Sequence, residues 1–469
     1  MQEGSLLLLK QVFGIQRAIG LARKILVVPW RHKYGFSMKI ITLCLLPLLS
    51  FANPYPDPQK VVPSTAPVRT LELTGPKASL IPAAMLRVQV EWSAGETYRV
   101  GKLVFELSGT PARQKRALRA DKLGSYRAEL HMGGQVFHDA LGTGKEYRKL
   151  VPSLTFRFPW TGERGELKLW AENPTTGVSE LVLTAPVDSA DAEVVTTTVG
   201  LETRVLEESR HPNPLVVGIY GEGYLPARKE RFFEQAAKVV AGLKAVPGNE
   251  RFHYVAVFAP SQQVLGRATN LGPRPRPRNS FLGLYFPHWN NFGRWYHVVY
   301  PTDENKFRAG LAQIGYDYPV VLVDDREYWG VGNYMTHTAL PAEASQFTYL
   351  LLHEFGHFLG LNEEYEGGGP TELEHAPGIE EPWSPNITFH PRAGDLKWEY
   401  LITPGTPLPT PALYGGRGTV GAYRGGYADS LPRSQSHKPV KQCMMGSGGD
   451  FCPVCLAASA AQLAKDAGH

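Results

Sequence analysis

The sequence predicts a mixed α+β protein in which an N-terminal β-sandwich is followed by an α/β domain. Residues 60–198 contain short runs of alternating apolar and polar residues, separated by Gly, Pro, Asn and Asp. Strands of this length and spacing are typical of a β-sandwich. In residues 199–469 buried strands alternate with amphipathic helices, which indicates a parallel or mixed sheet with helices packed on it. A chain of 469 residues is long enough for two or three domains.

Residues 1–52 have the pattern of an upstream extension followed by an export signal. The segment that begins at Met38 has a lysine, an apolar run over residues 40–49 and Ser-Phe-Ala before Asn53, which is typical of a secretory signal peptide. The apolar run is too short to form a stable membrane span. We therefore predict a start at Met38 and an exported protein, periplasmic or secreted. The alternative for residues 1–37 is an amphipathic N-terminal anchor.

The net charge argues against nucleic acid as a partner. Residues 1–52 carry seven Lys and Arg residues against one Glu, a net charge of +6, whereas the whole chain has +5. The rest of the chain therefore has a net charge of −1. It lacks the excess of positive charge that is typical of nucleic-acid-binding domains.

The cysteine count permits at most one disulfide bond in the exported protein. Of four cysteines, Cys44 lies in the predicted signal peptide, which leaves Cys443, Cys452 and Cys455. In an oxidising compartment we expect a bridge that involves Cys443, while the sequence leaves its partner open.

The elements of the two domains follow in order along the chain. Residues 60–198 contain five predicted strands and no constellation of catalytic residues; the runs are MLRVQVEW, LVFELSG, LTFRFPW, GELKLWAEN and SELVLTAP. In the second domain the predicted order is a strand over 214–224, a helix over 227–246, a strand over 251–260, a helix over 306–317, a strand over 318–325 and a helix over 343–360 that follows Pro341.

Two histidines in the last helix have the spacing of metal ligands. His353 and His357 are four residues apart, so both imidazoles project from one face of the helix. Glu354 then stands where the H-E-x-x-H zinc peptidases have their general base. The alternative, polar residues at the negative end of a helix dipole, explains neither Glu354 nor the acidic residues that follow.

A third ligand is expected just after the helix. We predict that Gly360 ends the helix with a positive φ and reverses the chain. Glu363 comes three residues later, where the longer motif H-E-x-x-H-x-x-G-x-x-H has its third ligand. Glu364 is the alternative. Two imidazoles and a carboxylate, with one position open for water, form a ligand set that Zn²⁺ takes in hydrolytic sites.

The segment HEFGHFLGLNEEY, residues 353–365, resembles the signature of the IgA-peptidase family of zinc metallopeptidases, H-E-F-G-H-x-x-G-L-x-D-E-Y. Other stretches are also similar to this family: the strand and helix around Glu222, where the family has Asp, PNIT at 385–388, QCMM with the later FCPVC, and part of the β domain. The resemblance implies a zincin-like α/β metallopeptidase domain. It also implies that His353 and His357 bind the metal and that Glu354 is the base.

The resemblance implies roles for further residues. Glu363 falls where the family has Asp, so a carboxylate ligand is retained. Met445 falls on the methionine of the family's Cys-x-Met element and, by analogy with related zinc peptidases, forms a methionine turn under the metal; Met444 is the alternative. Tyr365 ends the signature and is either a packing residue or a hydrogen-bond donor to a ligand or to the oxyanion. The family's YRP element is absent, since residues 436–439 read SHKP.

These residues predict an exported zinc metallopeptidase that acts on protein or peptide substrates. We expect metal-assisted hydrolysis in which Glu354 carries the proton of the attacking water to the leaving amine. The segment 331–340 is expected to pair with the substrate backbone as an edge strand. One alternative is a surface or periplasmic binding protein in which the metal only stabilises the fold. The other is a zinc hydrolase of non-peptide amide bonds, such as those of cell-wall fragments.

Overall fold

The computed structural model describes residues 84–468 except for the segments 94–96, 107–108, 121–122, 144–150, 152, 161–163, 174–175, 189, 191, 196–197, 266–278, 287–298, 366–380, 427–435 and 447. All described residues belong to one compact unit, 55–469. The predicted export signal and the extension before it lie outside the described residues. In the part of the chain that is described, no helix is both long and apolar enough to cross a membrane.

The described residues form strands and a smaller number of helices, as a mixed α+β fold requires. The strands are β1 (Met85–Ser93), β2 (Thr97–Glu106), β3 (Tyr126–Met132), β4 (Gln135–Leu141), β5 (Ser153–Pro159), β6 (Arg164–Glu172), β7 (Ser179–Asp188), β8 (Glu193–Val194), β9 (Glu202–Glu207), β10 (Leu215–Glu222), β11 (Phe252–Phe258), β12 (Leu284–Tyr285), β13 (Tyr300–Pro301), β14 (Tyr318–Val323), β15 (Val331–Asn333), β16 (His337–Pro341), β17 (Tyr423–Arg424) and β18 (His437–Lys438). The α-helices are α1 (Pro111–Arg116), α2 (Lys229–Leu243), α3 (Glu304–Leu311), α4 (Phe347–Phe358) and α5 (Pro453–Asp466).

The N-terminal strands form two four-stranded sheets, with the orders β5-β1-β2-β8 and β4-β3-β6-β7. Strand β3 alternates buried and half-buried residues, because successive side chains of a strand point to opposite faces. Apolar residues of both sheets, such as Val88, Leu130 and Phe156, belong to one hydrophobic cluster. The same cluster includes residues of the central sheet, and the predicted domain boundary near residue 199 stays a prediction.

The central sheet has six strands in the order β15-β16-β14-β10-β11-β9. Strands β16, β14, β10 and β11 are parallel, while β15 and β9 pair antiparallel at the two edges. The six residues of β14 are all buried, as expected for a parallel strand that is covered on both faces. Helices α2 and α4 contribute to the hydrophobic cluster on one face, where Phe355 contacts Phe252 and Tyr318.

Two predicted helices have different bounds in the structure. The helix predicted from residue 343 is α4, which begins only at Phe347. The residues before it extend the strand pairing of β16, because the N–H of Ala342 donates to the carbonyl of Val323 at 2.9 Å. The helix predicted over 306–317 is α3, which begins earlier because Asp303 caps it and ends at Leu311.

The predicted disulfide bond is not formed. Cys443, Cys452 and Cys455 are free thiols, all three of them buried. Cys452 is the N-cap residue of α5, and Cys443 lies in the segment that precedes this helix. The prediction was wrong: Sγ of Cys443 and Sγ of Cys455 lie 3.7 Å apart, well beyond the length of about 2.05 Å of an S–S bond, and Glu364 contacts the other thiol, Cys452, as well as Cys455.

Candidate metal centre

Helix α4 brings His353 and His357 together on one face. Their ring centroids lie 4.8 Å apart with an interplanar angle of 88°. Both Nε2 atoms face the carboxylate of Glu363: the distance is 3.4 Å from His353 to Oε2 and 3.0 Å from His357 to Oε1. The three side chains therefore converge on one point, as the spacing of the sequence predicts.

The other ring nitrogens are held by backbone carbonyls. Nδ1 of His353 donates to the carbonyl of Met444 at 2.9 Å, and Nδ1 of His357 donates to the carbonyl of Leu361 at 2.9 Å. With the proton on Nδ1, each neutral imidazole presents the lone pair of Nε2 towards Glu363. Such outer hydrogen bonds are typical of histidines that bind metals.

The turn after α4 positions Glu363. Gly360 has a φ of +91°, its N–H donates to the carbonyl of His357, and the N–H of Leu361 donates to the carbonyl of Gly356, both at 3.0 Å. This pair of bonds is the Schellman motif, which ends a helix and turns the chain back. The predicted role of Gly360 at the helix end is confirmed.

A buried amide fixes the residues on both sides of Glu363. Asn386 Oδ1 accepts from the N–H of Asn362 at 2.8 Å, and Asn386 Nδ2 donates to the carbonyl of Asn362 at 2.8 Å and to Glu364 Oε1 at 3.0 Å. Asn386 belongs to the PNIT stretch, for which no site role was predicted. The only signal was its place in a stretch shared with the resembling family.

The electrostatics of the site favour a cation beside Glu363. Burial opposes protonation of His353, but the charge and polar contact of Glu363 outweigh it and raise the pKa of His353 to about 10. The same carboxylate raises the pKa of the buried His357. In turn, burial disfavours the Glu363 anion, yet the two imidazoles hold its pKa well below the ordinary value. A buried carboxylate needs compensating positive charge, which protons or a metal ion can supply.

The three donors fit a small tetrahedral metal ion. With Zn–N and Zn–O distances of 2.0–2.2 Å, two ligand atoms of a tetrahedral site lie about 3.4 Å apart. His353 Nε2 lies at this separation, 3.4 Å, from Glu363 Oε2, and His357 Nε2 lies 3.0 Å from Oε1. The donor atoms of the three residues all lie within 4.8 Å of one another. Oε2 of Glu363 is also buried without a hydrogen-bond partner, so its lone pairs are available to a ligand.

Glu354 is buried beside the two imidazoles. Burial raises the pKa of its carboxyl group, and the nearby His353 and His357 partly oppose this rise. Glu354 packs against β15 and the residue before it. A Cβ at Gly330 would overlap Oε1 of Glu354, and a Cβ at Gly332, within β15, would overlap the backbone carbonyl of Glu354. These two glycines let the edge strand approach α4 closely, a requirement that the sequence analysis did not recognise.

Met445 and Tyr365 both lie at the site. Met445 is fully buried, and a Cβ at Gly356 would overlap its Sδ, so the methionine packs directly against α4. Tyr365 donates from its hydroxyl to Glu363 Oε1 at 2.7 Å, and its ring is nearly parallel to that of His353 with centroids 6.1 Å apart. Tyr365 therefore contacts a candidate ligand, which was one of its two predicted roles.

Glu364, the alternative ligand, points away from the histidines. Its carboxylate contacts Cys455 Sγ and Asn386 Nδ2, each at 3.0 Å. The described residues thus contain two groups with metal-ligand geometry, one formed by His353, His357 and Glu363 and the other by Glu364 and three cysteines.

Comparison with known proteins assigns the segment that carries the two histidines to a family. No curated protein matches the chain. The segment that matches a family model, residues 204–416, contains both histidines and Glu363, whereas the β-domain stretch and the C-terminal cysteines, which the resemblance had included, lie outside it. Residues 204–416 match the family model described as IgA Peptidase M64, and this segment is therefore identified as an IgA-peptidase-family metallopeptidase sequence.

Proposed function

We propose that this peptidase is an exported, zinc-dependent endopeptidase that hydrolyses peptide bonds with a glutamate general base. The observation that carries the proposal is the convergence of His353, His357 and Glu363. Their donor atoms lie 3.0–3.4 Å apart across the carboxylate, and both imidazoles are oriented by carbonyl groups. This arrangement supports a His₂-carboxylate site in which one position stays open to water.

His353, His357 and Glu363 would hold the ion. When bound, zinc lowers the pKa of a coordinated water to about 7 and polarises the scissile carbonyl. The remaining chemistry belongs to side chains of this chain. Tyr365 keeps Glu363 in place through its hydrogen bond to Oε1, which leaves Oε2 free to accept.

Glu354 is the proposed general base. It follows His353 directly, is buried against β15, and its pKa is raised by burial. A raised pKa brings a carboxylate closer to the working pH, where it both accepts and returns a proton efficiently. We propose that it takes the proton of the attacking water and passes it to the leaving amine.

Strand β15 supports the proposal of a polypeptide substrate. It is the last strand of the six-stranded sheet and lies directly against the helix that carries the histidines. An edge strand has unpaired backbone groups that pair with an extended peptide. We propose that substrate binds along this edge, with its scissile bond near Glu354.

Export and the N-terminal architecture complete the proposal. The signal pattern that begins at Met38 supports export to a periplasm or the medium. The two four-stranded sheets and their shared hydrophobic cluster support a β-sandwich domain over residues 60–198. Neither feature bears on the chemistry of the histidine site.

The test combines metal analysis with digestion of a peptide library by the wild type and by Glu354→Gln. We expect both proteins to bind zinc, and we expect the variant to lose nearly all turnover because glutamine accepts no proton at neutral pH. Glu234→Gln, which makes the same change at an exposed position of α2, is the control and should keep full activity.

Three results would contradict the proposal. Wild-type turnover in Glu354→Gln would exclude this residue as the base. Zinc binding with no cleavage of any peptide would favour a binding protein, and cleavage of muropeptides alone would favour a hydrolase of other amide bonds.

A further inference from the structure

A second group of metal-binding side chains lies beside the histidine site. It consists of Glu364, Cys443, Cys452 and Cys455, whose donor atoms all lie within 4.8 Å of one another. Sγ of Cys455 is 3.7 Å from Sγ of Cys443 and 3.0 Å from Glu364 Oε1, while Sγ of Cys452 is 4.0 Å from the same oxygen. All four residues are buried.

These separations match a tetrahedral site. With Zn–S distances near 2.3 Å, two sulfurs lie about 3.8 Å apart, and a sulfur and an oxygen lie about 3.5 Å apart. The separation of 3.7 Å between the sulfurs of Cys443 and Cys455 matches the first figure. The separations of 3.0 and 4.0 Å between Glu364 Oε1 and the other sulfurs lie on either side of the second. The four side chains therefore form a closed set with the number of ligands that structural zinc sites use.

A disulfide bond accounts for this cluster less well than a metal does. Pairing Cys443 with either of the other cysteines leaves the remaining thiol within 4.0 Å of the carboxylate of Glu364. That carboxylate is 1% exposed, and its Oε2 has no hydrogen-bond partner. Burying such a group is costly unless it is neutralised. A divalent cation would use all four side chains and would offset the charge of the carboxylate.

The backbone around the cluster is arranged to support thiolates. The N–H of Cys452 donates to Sγ of Cys443 at 3.3 Å, and the N–H of Cys455 donates to Sγ of Cys452 at 3.4 Å. Cys452 is also the N-cap of α5, a helix of 14 residues. The positive end of the helix dipole favours negative charge on its sulfur.

From this geometry we propose that Glu364, Cys443, Cys452 and Cys455 form a second, structural zinc site. Its function is to hold together two segments that are distant in the sequence. The N–H of Glu364 donates to the carbonyl of Met445 at 2.6 Å, and Lys438 Nζ donates to the carbonyl of Glu364. A metal ion would fix the same two segments through side chains. This inference does not depend on the proposed peptidase activity.

The test counts the metal ions and identifies their ligands in the full-length exported protein. Native mass spectrometry should find two zinc ions in the wild type. Protein produced in cobalt-containing medium should show thiolate-to-cobalt charge-transfer absorption, because histidine and carboxylate ligands alone do not give this band. The band should persist in His357→Ala and disappear in Cys455→Ser.

Each outcome decides for or against the second site. Two ions in the wild type, one in His357→Ala and one in Cys455→Ser support it. One ion in the wild type that is lost in His357→Ala, or a cobalt form without the thiolate band, overturns it. A disulfide bond among the three cysteines in natively purified protein overturns it as well. If Cys455→Ser does not fold, the ion count and the cobalt spectrum of the wild type still decide. If the histidine site instead bound no metal, the wild type would hold one ion that survives in His357→Ala.

Discussion

The carbonyl of Met444 accepts a hydrogen bond from His353 Nδ1 at 2.9 Å, which joins two segments that are 91 residues apart. Met444 follows directly after Cys443 of the cysteine cluster, and the next residue, Met445, packs on Gly356 of α4. The orientation of His353 therefore depends on where the segment 443–446 lies. The helix supplies the two imidazoles, but long-range contacts decide how one of them is aimed.

We predict that Asn386→Ala weakens metal binding at the histidine site. Asn386 is fully buried and makes three hydrogen bonds, which fix Asn362 and Glu364 on either side of Glu363. Removing an outer partner typically lowers metal affinity about 10–100-fold. Competition with a chelator measures this loss. Asn249→Ala, which likewise removes an amide that donates to two backbone carbonyls, is the control. An unchanged zinc affinity would show that the turn holds Glu363 without Asn386.

We predict that Gly356→Ala destabilises the protein although alanine favours helices. The intrinsic gain in a helix is about 1 kcal/mol, but the new Cβ would overlap Met445 Sδ in a tightly packed core. Overpacking of this kind costs about 1–3 kcal/mol. Urea denaturation should therefore give a lower free energy of unfolding. The double variant Gly356→Ala/Met445→Ala should lose less than the sum of the single variants, and strict additivity would contradict the contact.

We predict that Glu363→Gln loses the metal at the histidine site, whereas Glu363→Asp retains it more weakly. Glutamine keeps the size of the side chain but removes the charge that faces both imidazoles. The loss of affinity should exceed the roughly 10–100-fold that is typical of losing an outer partner. Zinc titration of the three proteins measures the order wild type, Asp, Gln. Equal affinity of the Gln variant and the wild type would remove Glu363 from the ligand set.

The sequence predicted those parts of the site that depend on local geometry. The facing histidines follow from the helical repeat, and the turn at Gly360 follows from the backbone freedom of glycine; both need only residues close in the chain. The placement of Glu363 opposite the imidazoles agrees with the spacing, while its role as a ligand stays a prediction. The alternation of strands and helices after residue 199 was predicted for the same reason, since periodicity is a local property.

Features set by distant contacts were not predicted. Asn386 acts on residues 22 and 24 positions away, and no periodicity marks it. The start of α4 at Phe347 depends on strand pairing between Ala342 and Val323, which overrides a plausible helix start at Pro341. The cysteine cluster depends on Glu364, which lies 91 residues before Cys455. Counting residues in the sequence does not reveal these neighbours.

We predict that Tyr365→Phe weakens zinc binding without changing the stability of the fold. The hydroxyl donates to Glu363 Oε1 at 2.7 Å, so its loss removes an outer hydrogen bond of a candidate ligand. We expect an affinity about 10-fold lower. The side chain is 37% exposed, so we expect the free energy of unfolding to stay the same. Tyr400→Phe, at a position 76% exposed, is the control, and equal affinities of the two variants would assign Tyr365 to packing.

We predict that His337 makes the protein less stable as the pH falls below about 6.5. The ring is fully buried against Phe307, and neither nitrogen has a hydrogen-bond partner. Burial, with a contribution from the charge of Arg308, lowers the pKa of His337 to about 3. Because the unfolded chain binds a proton near pH 6.5 and the folded chain does not, stability is retained above that pH and lost as the pH falls towards 3.

The slope of that loss provides the measurement. A single group with this shift changes the free energy of unfolding by about 1 kcal/mol between pH 6 and pH 5. His337→Leu removes the titrating ring and should make the pH dependence shallower by that amount, while other groups and any bound metal contribute equally to both proteins. Parallel urea curves at pH 5, 6 and 7 give the comparison. The same slope in both proteins would mean that the buried ring is protonated in the folded state or finds a partner there, because only an uncharged, unpaired imidazole produces this difference.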